Sequence, residues 1–126
     1  MENILIIDDD KSILSFLEER LIYEGFNVLT ATDGKEGMKL FNDNQVDLVI
    51  TDIFIPDKNG FEIIIEMKRI CPEIKIIAMS GIGLGMVKAC LKAAEFSGAD
   101  YTFTKPFELS NLLTAVYELL KGEKTS

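Results

Sequence analysis

The sequence predicts an α/β domain whose parallel sheet is covered by helices on both faces. Short apolar runs suited to strands alternate with stretches of helical periodicity along the 126-residue chain. Three of the runs, Ile4–Ile7, Leu48–Ile50 and Ile76–Met79, are apolar at every position, as strands buried on both faces are. Four runs end on residues able to hold a phosphate or a hard cation: Asp8-Asp9-Asp10, Asp52, Ser80 and Lys105-Pro106. In a parallel α/β sheet the carboxyl ends of the strands share one edge, where ligands bind.

The elements follow in order. After the first strand, Leu14, Leu17 and Leu21 recur at helical spacing, with Asp10 as N-cap and Gly25 as stop. Phe26–Ala31 reads as a second strand. Asp33 with Glu36 has capping-box spacing and opens a helix to about Asn42. Val46–Thr51 is the third strand, and Pro56-Asp57-Lys58-Asn59-Gly60 is turn chemistry. Asn59 with Glu62 repeats the capping spacing before a helix that Pro72 ends. Ile74–Met79 is the fourth strand. Gly81, Gly83 and Gly85 form a loop ahead of a fourth helix with Leu84, Val87, Leu91 and Ala94 on one face. Gly98-Ala99-Asp100 turns into a fifth strand, Tyr101–Thr104. A last helix carries Leu109, Leu112, Leu113, Val116, Leu119 and Leu120. The second and fifth strands, more mixed in composition, belong at the sheet edges. The domain is expected over residues 1–121, with 122–126 a polar tail.

Composition narrows the function. The net charge is −8 and the pI about 4.5, which opposes an electrostatic grip on nucleic acid. Histidine is absent, so neither histidine catalysis nor a Cys/His metal site can come from this chain alone. Cys71 and Cys90 read as buried free thiols of a reducing compartment. No basic leader or apolar run of membrane length is seen, and a cytoplasmic location is expected.

Asp8, Asp9 and Asp52 at strand ends would repel one another unless protonated or bridged by a cation. Oxygen ligands of this kind suit Mg²⁺. Asp10 is set aside as a helix cap. Asp52 lies between apolar strand and Ile53-Phe54-Ile55, a poor place for an idle carboxylate. A carboxylate beside Mg²⁺ can accept a phosphoryl group, with Lys105 supplying charge and Ser80 a hydrogen bond.

The stretches ILIIDDD (Ile4–Asp10), DLVITDIFIPDKNGFE (Asp47–Glu62), IIAMSG (Ile76–Gly81) and GADYTFTKPF (Gly98–Phe107) resemble receiver domains of bacterial two-component response regulators. The resemblance covers nearly the whole chain. It implies a doubly wound, flavodoxin-like fold with strand order 2-1-3-4-5 and five helices. It further implies that Asp52 accepts a phosphoryl group from a histidine kinase or phosphotransfer protein. Asp8, Asp9, Asp52 and the Phe54 carbonyl would hold Mg²⁺, Ser80 and Lys105 would bind the phosphoryl oxygens, and Lys105–Pro106 would be cis. Such a domain is a phosphoacceptor and not a turnover enzyme, beyond self-phosphorylation from phosphodonors and self-dephosphorylation. Its output is altered binding of a downstream protein or output domain, or a phosphorylation-dependent homodimer, at the face of the fourth helix, fifth strand and last helix. Nucleic acid and membrane are not expected partners. An aspartyl-phosphate phosphohydrolase and a non-phosphorylated interaction domain of the same fold are the rival readings.

Two departures from the family pattern stand out. Three residues before the lysine the family usually carries Tyr or Phe, and this chain has Thr102 between Tyr101 and Phe103. The span from Ser80 to Lys105 also runs a few residues longer than usual. Its glycines fit either a mobile segment or a shifted fourth helix.

Overall fold

In the computed structural model, residues 1–55, 57, 59–81, 92–95 and 97–121 are described. The first strand, β1 (Asn3–Ile7), shows how the sheet is insulated. Leu5 and Ile7 enter one apolar cluster, Ile4 and Ile6 enter another, and all four are completely buried. Alternation sends side chains to opposite faces, so a strand covered on both sides must be apolar throughout. Each buried Ile or Leu contributes roughly 1.5–3 kcal/mol by area.

The same alternation holds in β3 (Leu48–Asp52) and β4 (Lys75–Ser80). Val49, Ile76 and Ala78 join the cluster of Leu5, whereas Leu48, Ile50, Ile77 and Met79 join that of Ile4. The outer strands are β2 (Asn27–Ala31) and β5 (Tyr101–Thr104). All four pairings are parallel, and the order is β2-β1-β3-β4-β5, as the resemblance implied. Boundaries move by one or two residues from the sequence reading. Phe26 precedes β2 and is buried against Tyr117, ring centroids 5.7 Å apart. β3 begins at Leu48 rather than Val46 and reaches Asp52, and β4 reaches Ser80.

Helices α1 (Lys11–Tyr23), α2 (Gly34–Asp43), α3 (Gly60–Ile70) and α5 (Leu109–Lys121) cover the sheet. A further helix, α4, is described at residues 92–95 and 97. α1 and α5 pack through Leu14, Leu17, Leu21, Leu112 and Val116 on one face. α2 and α3 pack through Met38, Phe41, Ile63, Ile64 and Met67 on the other, with Ala94 of α4. The helix starts are chemically fixed. Asp10 accepts from the amides of Ser12 (2.9 Å) and Ile13 (3.4 Å), and Asp33 from that of Glu36 (2.8 Å). Glu36 in turn accepts from Thr32 N at 3.1 Å, one residue before the cap. Asn59 accepts from Phe61 N at 2.8 Å. Gly25 ends α1 with φ +99°, a conformation open mainly to glycine.

Gly60 makes a close approach possible. A Cβ there would lie 2.5 Å from the Ile53 carbonyl oxygen and 2.6 Å from its Cα, while Gly60 N donates to that same oxygen at 2.9 Å. Absence of a side chain thus lets α3 start directly beneath the segment leaving β3. Cys71 is half-buried rather than buried, and its thiol donates to Glu73 at 3.3 Å. Burial, then that carboxylate, pushes the thiol up and away from reactivity. Cys90, the glycine-rich loop beyond Gly81 and the expected tail lie outside the described residues.

Candidate functional site

The carboxyl ends of β1, β3 and β4 are neighbours, and their polar residues converge. Asp8 follows β1 directly and is wholly buried. Its amide donates to Ala31 O at 3.1 Å and its Oδ1 accepts from Asp10 N at 2.9 Å, which fixes the turn into α1. Asp10 is spent on the α1 cap. Asp9 stands exposed at the rim. Asp52 closes β3 at 6% exposure, and its Oδ1 accepts from Phe54 N at 3.1 Å. Oxygens of Asp8, Asp9 and Asp52 all lie within 4.8 Å of one another.

Lys105 reaches into this group from the end of β5. Its Nζ is 2.6 Å from Asp8 Oδ2 and 2.7 Å from Asp52 Oδ2. Lys105 N donates to Ser80 O at 2.8 Å, which ties the base of the stem to β4, and the Lys105–Pro106 bond is cis. Gly81 leaves room for the stem, since a Cβ there would sit 3.2 Å from Lys105 Cδ. Burial is the larger influence on Asp8 and pushes its carboxyl up, against the opposing pull of Lys105. Burial also works against the Lys105 ammonium, but its hydrogen bonds to Asp52 and Asp8, with their charges, outweigh it and raise its pKa.

Among the described residues one ammonium faces three acids, so the acids outnumber the cation that compensates them. Such a set of hard oxygens, partly buried and under-compensated, fits a small divalent cation. Ser80 adds a second mark of a binding site. It is wholly buried at the end of β4, one position past the residue paired with Asp52. Among the described residues its Oγ has no hydrogen-bond partner. A buried hydroxyl left unpaired costs about 1–3 kcal/mol, an outlay that a ligand oxygen would offset.

Comparison with known proteins matches residues 4–117 to the family model described as the response regulator receiver domain. The chain belongs to that family. It is 36% identical over 119 residues to a DNA-binding transcriptional regulator NtrC of Azospirillum brasilense, covering 94% of this chain and 24% of that protein. It is 33% identical over 121 residues to the transcriptional regulatory protein CpxR of Klebsiella pneumoniae, covering 96% of this chain and 50% of that one. The receiver therefore spans a quarter to a half of these relatives' length. Among solved structures, a receiver domain protein from Clostridium thermocellum superposes with TM-score 0.87 at 31% identity, covering 97% and 96% of the two chains. TrrA of Thermotoga maritima, solved in complex with Mg²⁺ and BeF, gives 0.83 at 32% identity, covering 95% and 100%. No helix among the described residues of this receiver is long and apolar enough to cross a membrane.

The aromatics of β5 in this receiver lie on the face opposite Thr102. Tyr101 and Phe103 pack into the cluster shared with α1 and α5. Phe103 sits 6.5 Å from Phe107, and the Tyr101 hydroxyl donates to Glu118. Thr102, paired with Ala78, points the other way and donates to Glu95 of α4 at 3.3 Å. A hydroxyl therefore links β5 to α4 where the family usually carries an aromatic ring.

The sequence pattern missed the long-range partners of one side chain. Asp57 had the look of turn chemistry, yet its two oxygens accept from Gly34 N at 2.7 Å and Lys35 N at 3.0 Å. No local spacing signals a contact across 23 positions.

Proposed function

We propose that Asp52 is the phosphoacceptor of this receiver and that Asp8, Asp9, Asp52 and the Phe54 carbonyl form its Mg²⁺ site. The observation that carries the proposal is the buried Ser80 hydroxyl, without a hydrogen-bond partner among the described residues, one residue past the strand position paired with Asp52. Bound Mg²⁺ supplies positive charge against the phosphoryl oxygens. The chain's own groups do the rest. An Asp52 oxygen attacks phosphorus in line while the bond to the donor breaks, and the donor leaves with that electron pair. Lys105, already 2.7 Å from Asp52, neutralises charge on a transferred oxygen, and Ser80 donates the hydrogen bond it lacks. Membership of the receiver family supports a phosphohistidine on a kinase or phosphotransfer protein as the donor. The setting is cytoplasmic.

Uptake of phosphate at Asp52 biases the surface of α4, β5 and α5, and so changes affinity for a downstream protein, an output domain or a second copy. Thr102 and Glu95 lie on the route from site to that surface.

Intact-mass spectrometry after incubation with acetyl phosphate and Mg²⁺ tests the assignment. Wild type gains one phosphoryl group, and Asp52→Asn gains none. Equal uptake by Asp52→Asn would falsify the role of Asp52.

A further inference from the structure

The ligands of the proposed cation site sit on two separate segments, and the β1–β3 pairing that sets their spacing runs as far as Ile7 and Thr51, short of Phe54. Asp8 and Asp9 lie between β1 and α1, whereas Phe54 lies beyond the end of β3. The start of α2 touches both. On one side Ala31 O accepts from Asp8 N at 3.1 Å, just ahead of the turn into α2. On the other, the Asp57 carboxylate clasps the first two amides of α2, Gly34 N at 2.7 Å and Lys35 N at 3.0 Å. The turn between them carries its own capping bonds, Glu36 N to Asp33 at 2.8 Å and Thr32 N to Glu36 at 3.1 Å, which hold the helix start without involving Asp57. First-turn amides carry the positive end of the helix dipole, so a carboxylate on two of them forms a strong, directional link. That link crosses 23 residues of sequence and lands three residues from Phe54.

We infer that Asp57 is a positioning residue for cation binding. Through the start of α2 it holds the Phe54 segment at the separation from Asp8 and Asp9 that a divalent cation requires. The inference rests on the Mg²⁺ reading proposed above. Groups bonded directly to metal ligands change affinity about 10–100-fold when removed. Acting through backbone, Asp57 should contribute less, roughly 3- to 10-fold.

The test is Mg²⁺ titration by isothermal calorimetry on the full chain, together with amide exchange and thermal melting. Asp57→Ala should weaken Mg²⁺ binding by roughly 3- to 10-fold and expose the Gly34 and Lys35 amides to exchange. Asp57→Asn keeps one acceptor oxygen and should fall between. Asp33→Ala removes a cap from the same helix without releasing the Asp57 link, so it should lower the melting temperature and leave Mg²⁺ affinity within about two-fold. Wild-type affinity in Asp57→Ala, unchanged protection of Gly34 and Lys35, or an equal loss in Asp33→Ala overturns the inference. A wild-type chain that binds no Mg²⁺ overturns the cation reading itself, and the inference with it.

Discussion

Lys105 Nζ lies between Asp8 Oδ2 and Asp52 Oδ2, 2.6 and 2.7 Å away, so one ammonium holds together carboxylates that otherwise repel. Removing it leaves two largely buried acids uncompensated, which costs several kcal/mol in fully buried pairs. The Lys105 side chain is 16% exposed, so a smaller loss is expected. Lys105→Met should lower stability in urea by about 2–3 kcal/mol without divalent ions. Millimolar Mg²⁺ should restore more stability to the variant than it adds to wild type, because no ammonium then competes for the acids. Equal stabilisation of both proteins would show that lysine and cation do not share those carboxylates.

Ser80 sets stability against function. Its buried hydroxyl has no partner among the described residues, so Ser80→Ala removes a desolvated polar group without breaking a hydrogen bond to any of them. The variant should be as stable as wild type or up to about 1 kcal/mol more so, while phosphate uptake from acetyl phosphate slows by at least about ten-fold. Urea titration and a phosphorylation time course read the two effects separately. A clear loss of stability would mean the hydroxyl is paired in solution.

The raised Asp8 carboxyl gives a pH dependence of defined sign. Burial holds it above its ordinary value of 3.8, so between those two values the folded chain binds the proton that the unfolded chain releases. Ionising Asp8 therefore costs stability as pH rises through the folded value, and that cost is absent below 3.8. Relative to Asp8→Asn, wild type should gain stability as pH falls from neutral, levelling off at the acid end. Urea titrations of both proteins across that range, without divalent ions, measure the difference. A wild type that loses ground to the variant on acidification contradicts the burial argument.

What the sequence disclosed and what it hid divide along physical lines. β1, β3 and β4 were legible because burial on both faces demands unbroken apolar runs. Asp10 and Asp33 were legible because capping is local chemistry. Strand ends moved by a residue or two, as at Val46 and Ser80, because pairing partners and not propensity decide where a ladder stops. The convergence of Asp8, Asp9, Asp52, Ser80 and Lys105 followed from the shared carboxyl edge of a parallel sheet. The bonds of Lys105 to the acids were not legible, since residue type gives a charge but not its partner. Asp57 was hidden for the same reason, with its partners 22 and 23 positions away. Cys71 was expected to be buried and is half-buried, packed against the cluster of Leu5 while its thiol reaches the Glu73 carboxylate.

Gly60 offers the sharpest steric test. A methyl group there would fall 2.5, 2.6 and 2.8 Å from the oxygen, Cα and carbonyl carbon of Ile53. Those atoms are backbone, one residue from Asp52, and cannot rotate away as a side chain would. Relief requires α3 to move outward, which breaks the 2.9 Å bond from Gly60 N to Ile53 O and loosens fully buried Ile63 and Ile64. Overpacking of this kind typically costs about 1–3 kcal/mol, and the lost backbone bond adds to it. Gly60→Ala should therefore destabilise the domain by roughly 2–4 kcal/mol in urea titration. Gly25→Ala supplies the contrast, with no atom within 4 Å of the added carbon and only a strained φ of +99° to oppose it. Its cost should stay near 1 kcal/mol, the usual penalty for a side chain in that conformation. If Gly60→Ala costs no more than Gly25→Ala, α3 does not press on the segment leaving β3 as the structure shows.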